Sequence, residues 1–255
     1  MPAPRSLSCM RDFLWAVHAG VMASALTFPV SAGVVIGGTR IVFNESQGSA
    51  TFSVKNTEQM SYLVKSEVKG PDAWTGGMTS ISAEVPFIAT PPLFVLPGGK
   101  ENRVRIIKTD GSLPVDRESL FQLEVAAIPP GKVAPDSLHI AIRTRLKLIW
   151  RPSGLRGKSE QAYRKILWRQ MQGAIVAENP TPYVVTLFNV RINGTKTDSA
   201  GVVMPFSSRT VAKCPALRLC VLEWQSVNDY GRIMPAIHVD VDEPPVKKDK
   251  HGAQE

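Results

Sequence analysis

The 255 residues are 44% hydrophobic and 20% charged, with a net charge of +8 at pH 7. That balance excludes a disordered chain or a bundle of membrane spans, and leaves a globular protein of one large or two ordinary domains. A basic surface, with pI about 9.5, suits acidic partners, and 20 Pro with 19 Gly suit strands and turns better than helices.

Residues 1–32 read as a secretory signal peptide. Arg5 and Arg11 supply the positive region, 13–28 the apolar stretch, and Val30-Ser31-Ala32 the small residues of a cleavage site. The apolar run falls short of the ~20 residues that a span needs, so no membrane insertion is expected. Cys9 would leave with the signal, and the remaining pair, Cys214 and Cys220, is expected to form a disulfide across a hairpin in an oxidising compartment. Closing so short a loop contributes about 2 kcal/mol in the chain-entropy model. Two buried free thiols are the alternative.

Runs with strand character follow at 40–43, 50–54, 62–68, 104–108, 120–128 and 138–150, separated by Gly- and Pro-rich turns. This spacing predicts a first β-sandwich over 33–152. Pro152-Ser153-Gly154 breaks the pattern, and 155–172 is basic and polar, with helical spacing in its second half. Strand signals return at 183–192, 202–203, 209–213, 219–224 and 237–241, which predicts a second, smaller β-domain over 153–244. Asn193-Gly194 is read as a hairpin turn rather than a glycosylation acceptor. The tail, 245–255, has nothing to bury and is expected to be disordered.

Catalytic chemistry is not legible. His139, His238 and His251 have no nucleophile arrangement near them, no glycine loop would cradle a phosphate, and no His lies near the cysteine pair to complete a metal site. No enzyme activity, cofactor or metal is expected. Nucleic acid is not expected either, because the bases are not interleaved with aromatics and the chain is exported. What remains is binding, and the run 138–150 is its most distinctive carrier. Leu138, Ile140, Ile142, Thr144, Leu146, Leu148 and Trp150 alternate with His139, Ala141, Arg143, Arg145, Lys147 and Ile149. That is a long strand with one apolar and one basic face.

Seven blocks together resemble one family, the periplasmic pilus chaperones of the chaperone–usher pathway, the PapD-like group. They are G-G-T-R-I-V-F (37–43), A-T-P-P-L-F (89–94), L-P-V-D-R-E-S-L-F (113–121), I-P-P (128–130), R-T-R-L-K-L-I-W-R-P (143–152), E-N-P-T-P-Y (178–183) and N-D-Y-G (228–231). They occur in the family's order. Gln122 and Glu124 depart from it, standing where the family tends to carry an aromatic and Asn.

The resemblance implies an all-β protein of two immunoglobulin-like sandwiches set at an angle, working at the cleft between them in the periplasm of a Gram-negative cell. Its partners would be pilin subunits and an outer-membrane usher, and two free copies could cap each other's edges as a homodimer. Leu138, Ile140 and Ile142 match the donor-strand residues that fill the groove of an incomplete pilin. Arg40 and Lys147 match the pair that anchors the pilin's C-terminal carboxylate. Glu118, Arg151 and Asp229 match a charge network joining the domains. Arg143 and Arg145 read as edge charges that discourage aggregation. The short segment 129–137, with no flanking cysteines, matches the short-loop subclass. A secreted adhesin or carbohydrate-binding module on the same fold is the rival reading, though the chain lacks a loop cluster of aromatics and acids to hold a sugar.

Overall fold

The computed structural model describes residues 33–71, 85–131, 140–197, 201–214 and 219–241. The expected signal peptide, Leu138 with most of the loop before it, and the expected disordered tail lie outside the described residues.

The first sandwich is built from β1 (Val34–Ile36), β2 (Arg40–Asn44), β3 (Ser49–Asn56), β4 (Tyr62–Lys69), β5 (Phe87–Thr90), β6 (Leu93–Leu96), β7 (Glu101–Lys108), β8 (Ser119–Ile128) and β9 (Ile142–Arg151). One sheet runs β1-β3-β7-β5 and the other β2-β9-β8-β4-β6. Alternation sets the inner faces: in β3, Ala50, Phe52, Val54 and Asn56 are buried while Thr51 and Lys55 are exposed. Phe43, Phe87, Phe121 and Trp150 meet at the centre with ring centroids 5.0–6.0 Å apart, and Leu146 and Leu148 join them in the core.

A short helix, Ser159–Ala162, leads into the second sandwich. Its strands are β10 (Leu167–Met171), β11 (Ala174–Asn179), β12 (Val185–Ile192), β13 (Thr195–Lys196), β14 (Val202–Val203), β15 (Ser207–Lys213), β16 (Cys220–Ser226) and β17 (Ile237–Val241). They form one sheet of β10-β11-β15 and another of β13-β12-β16-β17, with β14 added along β12. Trp224 fills the core between Tyr163 and Trp168.

Several expectations need correction. Residues 167–171 form β10, not helix; Gln172-Gly173 turns them back onto β11 as a two-residue hairpin. Asn193-Gly194 turns β12 into β13 as expected, with both residues at positive φ. The long strand begins at Ile142 among the described residues, later than its alternation suggests. Cys214 and Cys220 are bonded, but not across a hairpin. Cys214 follows β15 and Cys220 opens β16, which lie in different sheets, so the disulfide staples the two layers of the second sandwich.

Candidate functional site

The site begins with a strand that changes sheets. β1 pairs with β3, whereas β2, a few residues later, pairs with β9 in parallel. The crossing at Gly37-Gly38-Thr39 needs its second glycine: Gly38 has φ +107°, which L side chains rarely adopt. Because β2 starts only at Arg40, it covers β9 along 147–151. Along 142–146, β9 pairs with β8 on one side, and among the described residues no strand takes its other edge.

The outer face of this sheet is a ladder of cross-strand rows. Leu120 and Ile149 pack with Val202 of the second sandwich. The next row is Arg40, Lys147, Gln122 and Lys69; the next, Arg145, Glu124 and Glu67; then Arg143, Ala126, Lys65 and Leu93. The outermost row is Ile128, Leu63 and Val95, all exposed. The open edge therefore ends at Arg40 and Lys147, which face each other across the ladder. Arg40 Nη1 donates to the Val227 carbonyl at 2.8 Å and to Thr186 Oγ1 at 3.4 Å. Its Nε is buried with no hydrogen-bond partner among the described residues. Burial, and then Arg40, push Lys147 down to about 8 from its usual 10.5.

That depression makes a prediction with a definite sign. The unfolded lysine holds its proton up to about 10.5 and the folded one only to about 8, so stability should rise with pH across that window. Below it, the charged lysine is a cost to the free protein. Lys147→Met should raise the unfolding temperature at pH 7 by about 2–4 °C, the shift that about 1 kcal/mol gives a chain of this size. It should also flatten the rise between pH 8 and 10.5, as read by thermal unfolding across pH. An unchanged slope would show that Lys147 is not the group responsible.

Beneath the pair, Arg151 on β9 donates through Nε to Glu118 Oε1 and grips Asp229 with both terminal nitrogens, at 2.8 and 3.0 Å. Glu118 and Arg151 belong to the first sandwich, and Asp229 to the second. Burial pushes the Glu118 carboxyl up to about 7, against the pull of Arg151 and the Val184 N–H. Burial would also raise Asp229, but its hydrogen bonds from Arg151 and Ser159 leave it below the usual carboxylate range.

The E-N-P-T-P-Y and N-D-Y-G blocks serve this geometry. In E-N-P-T-P-Y, buried Asn179 donates to the carbonyls of Tyr183, Val203 and Met204, which holds the loop so that the Val184 N–H reaches Glu118 Oε2 at 2.6 Å. In N-D-Y-G, Asn228 Oδ1 accepts from the N–H groups of Tyr230 and Arg232. That turn aims Asp229 at Arg151, and its Gly231 lies where a Cβ would come within 2.8 Å of Thr39 Oγ1. The expected anchor pair and the expected charge network are thus each brought together. Ile140 and Ile142 stand exposed at the start of the open edge, at 63% and 50%. Sequence reading missed Thr186, Ser159, the Val227 carbonyl and the Val184 N–H. The two backbone partners have no side-chain signal to find.

Fold and site together define a two-sandwich binding protein that offers an unfinished sheet edge running up to a cationic pair. Residues 33–156 match the family described as pili and flagellar-assembly chaperone, PapD N-terminal domain, and 161–238 match pili assembly chaperone PapD, C-terminal domain. The chain is 39% identical over 212 residues to the uncharacterized fimbrial chaperone YcbF of Escherichia coli K12, covering 83% of this chain and 89% of that one. It is 35% identical over 219 residues to the chaperone protein FimC of the same strain, covering 84% and 87%. Among solved structures, the SafB chaperone of Salmonella enterica, in complex with the SafA pilin, has 30% identity and a TM-score of 0.71 over 81% of this chain and 95% of that one. The chain belongs to the PapD-like family of pilus-assembly chaperones.

Proposed function

We propose that this protein is a periplasmic chaperone that holds pilin subunits by lending them β9 and passes them to an outer-membrane usher for fimbrial assembly. The observation that carries the reading is the uncovered edge of β9 ending at Arg40 and Lys147. A strand added there continues the line of β2 and must stop where β2 begins. If it runs parallel to β9, its last residue meets the two cations, so a terminal carboxylate fits and a terminal ammonium does not. Ile140 and Ile142 then enter the partner's groove while the backbones complete one sheet. The carboxylate also fixes register, since a slip of one residue would turn every side chain to the wrong face. The exposed row of Val95, Leu63 and Ile128, with Leu93 beside it, lies on other strands of the sheet and supports docking of a second protein while the edge is occupied. Export is supported by the Cys214–Cys220 disulfide; the proposed domains are 33–152 and 153–244, and the brevity of 129–137 in the sequence, with no flanking cysteines, favours the short-loop subclass.

The test is co-expression with a pilin and recovery of the periplasmic complex. Arg40→Ala and Lys147→Ala should each weaken capture by about 10- to 150-fold, from about 1.5–3 kcal/mol per charged hydrogen bond. The double variant should lose far less than the sum, because both residues hold one carboxylate. Folded single variants that retain pilin at wild-type levels would overturn the anchor.

A further inference from the structure

We infer that Arg143 and Arg145 read acidic side chains at alternate positions of the strand that joins β9, and so help set which C-terminal strands this protein accepts. The inference rests on the proposed capture at that edge. Both arginines lie on the same face as Lys147, in successive rows of the ladder beside the uncovered edge. Their side chains are 59% and 53% exposed, so a neighbouring strand can reach them.

Among the described residues their counter-charge is Glu124 alone, at 3.2 Å from Arg143 and 3.7 Å from Arg145. That carboxylate is 8% exposed and also holds Lys69 at 3.3 Å. One acid shared by three cations leaves a positive surplus along the edge. The next acid, Glu67, is engaged by Lys65 and Lys69, at 3.2 and 3.6 Å, and does not relieve it. Glu124 faces both arginines from the neighbouring strand and competes with any incoming carboxylate for them. An added strand places alternate side chains on that same face, one near each arginine. Acidic residues there meet a charge field already arranged for them, whereas basic residues meet repulsion. Simple edge protection would need the charges but would give no preference among strands that do bind.

The experiment uses the full mature protein and three short synthetic peptides with free C-terminal carboxylates. The peptides share the same alternating apolar residues and differ only in carrying Glu, Gln or Lys at two alternate outward positions. Binding should follow Glu, then Gln, then Lys. The Glu peptide should bind about 4- to 25-fold tighter than the Gln peptide, at about 2- to 5-fold per exposed ion pair, and the gap should narrow as salt rises. The preference should vanish in the variant carrying Arg143→Gln and Arg145→Gln, which should keep its unfolding temperature because both side chains are exposed. Arg40→Ala should weaken all three peptides by one common factor. Glu124→Gln removes the competing carboxylate and should widen the preference. Equal binding of the three peptides, a preference that survives the double variant, or a narrower one in Glu124→Gln would overturn the inference while leaving edge capture intact. No binding of any peptide would overturn both.

Discussion

Ile140→Asp is expected to abolish pilin capture without unfolding the free protein. Ile140 precedes β9 and is 63% exposed, so the free chain loses almost nothing when it becomes a carboxylate. In the proposed complex the same position enters an apolar groove of the partner. There the variant forfeits the burial of a branched aliphatic, about 1.5–3 kcal/mol, and must also desolvate a charge with no partner. The anchor at Arg40 and Lys147 is untouched, so a short peptide that reaches only the anchor should still bind. Co-expression with pilin, alongside thermal unfolding of the variant alone, reads both parts. Normal recovery of pilin would mean that this segment is not the donor. Ile142→Asp should behave the same way, with a small additional cost in the free protein because Ile142 already pairs with Ala127.

Arg151→Met is expected to destabilise the free protein by about 3–5 kcal/mol, the usual cost of removing one partner from a buried charge network. Arg151 neutralises a carboxylate on each sandwich and lies over the Tyr183 ring, 5.6 Å from its centroid. Without it, Glu118, only 2% exposed, keeps the Val184 N–H as its one remaining partner among the described residues. Its carboxyl, already at about 7, should rise further. A carboxyl raised above its unfolded value gains stability by taking up a proton on folding, and that gain is lost as pH rises through the folded pKa. The variant should therefore be less defective at pH 5 than at pH 8, as measured by urea unfolding at both. A loss under about 1 kcal/mol, or one independent of pH, would place the network's weight elsewhere. Asp229→Asn should cost less, since Asp229 is partly exposed and its replacement can still accept one hydrogen bond.

The strands that sequence reading located are those with strict alternation or β-branched runs, such as β3, β4, β8 and β12. β5 and β6 escaped it because Pro91-Pro92 between them looks like a break rather than the corner by which a chain passes from one sheet to the other. β10 escaped because Arg169 and Gln170 carry little strand preference and the polar, basic run leading into it suggests helical spacing. Its strand character comes from pairing with β11, which is a tertiary fact. The groupings of Arg40 with Lys147, and of Glu118 with Arg151 and Asp229, were legible in the sequence blocks, and each group lies together in the structure. The cluster around Glu124 was not, because Lys69, Glu124, Arg143 and Arg145 lie on three strands and only the ladder register brings them together. The disulfide pairing could be anticipated, yet its role as a link between layers could not, since that depends on which sheet each neighbouring strand joins.

The passage of the first strand between layers at Gly37-Gly38-Thr39 also bears on how such a protein arises. Had β2 begun a few residues earlier, it would have sealed the flank of β9, and the first sandwich would be a self-contained module with no appetite for a partner. On the proposed reading, binding depends on a vacancy left by a short detour of the main chain, and no specialised side chain is needed to create that vacancy. A lineage could therefore switch between inert scaffold and strand lender by small changes at a glycine corner, while the buried aromatics and the charge network beneath stay as they are. A residue decisive for whether that edge stays open would then be Gly38, which carries no side chain, and variation at it would be read most naturally as variation in a loop.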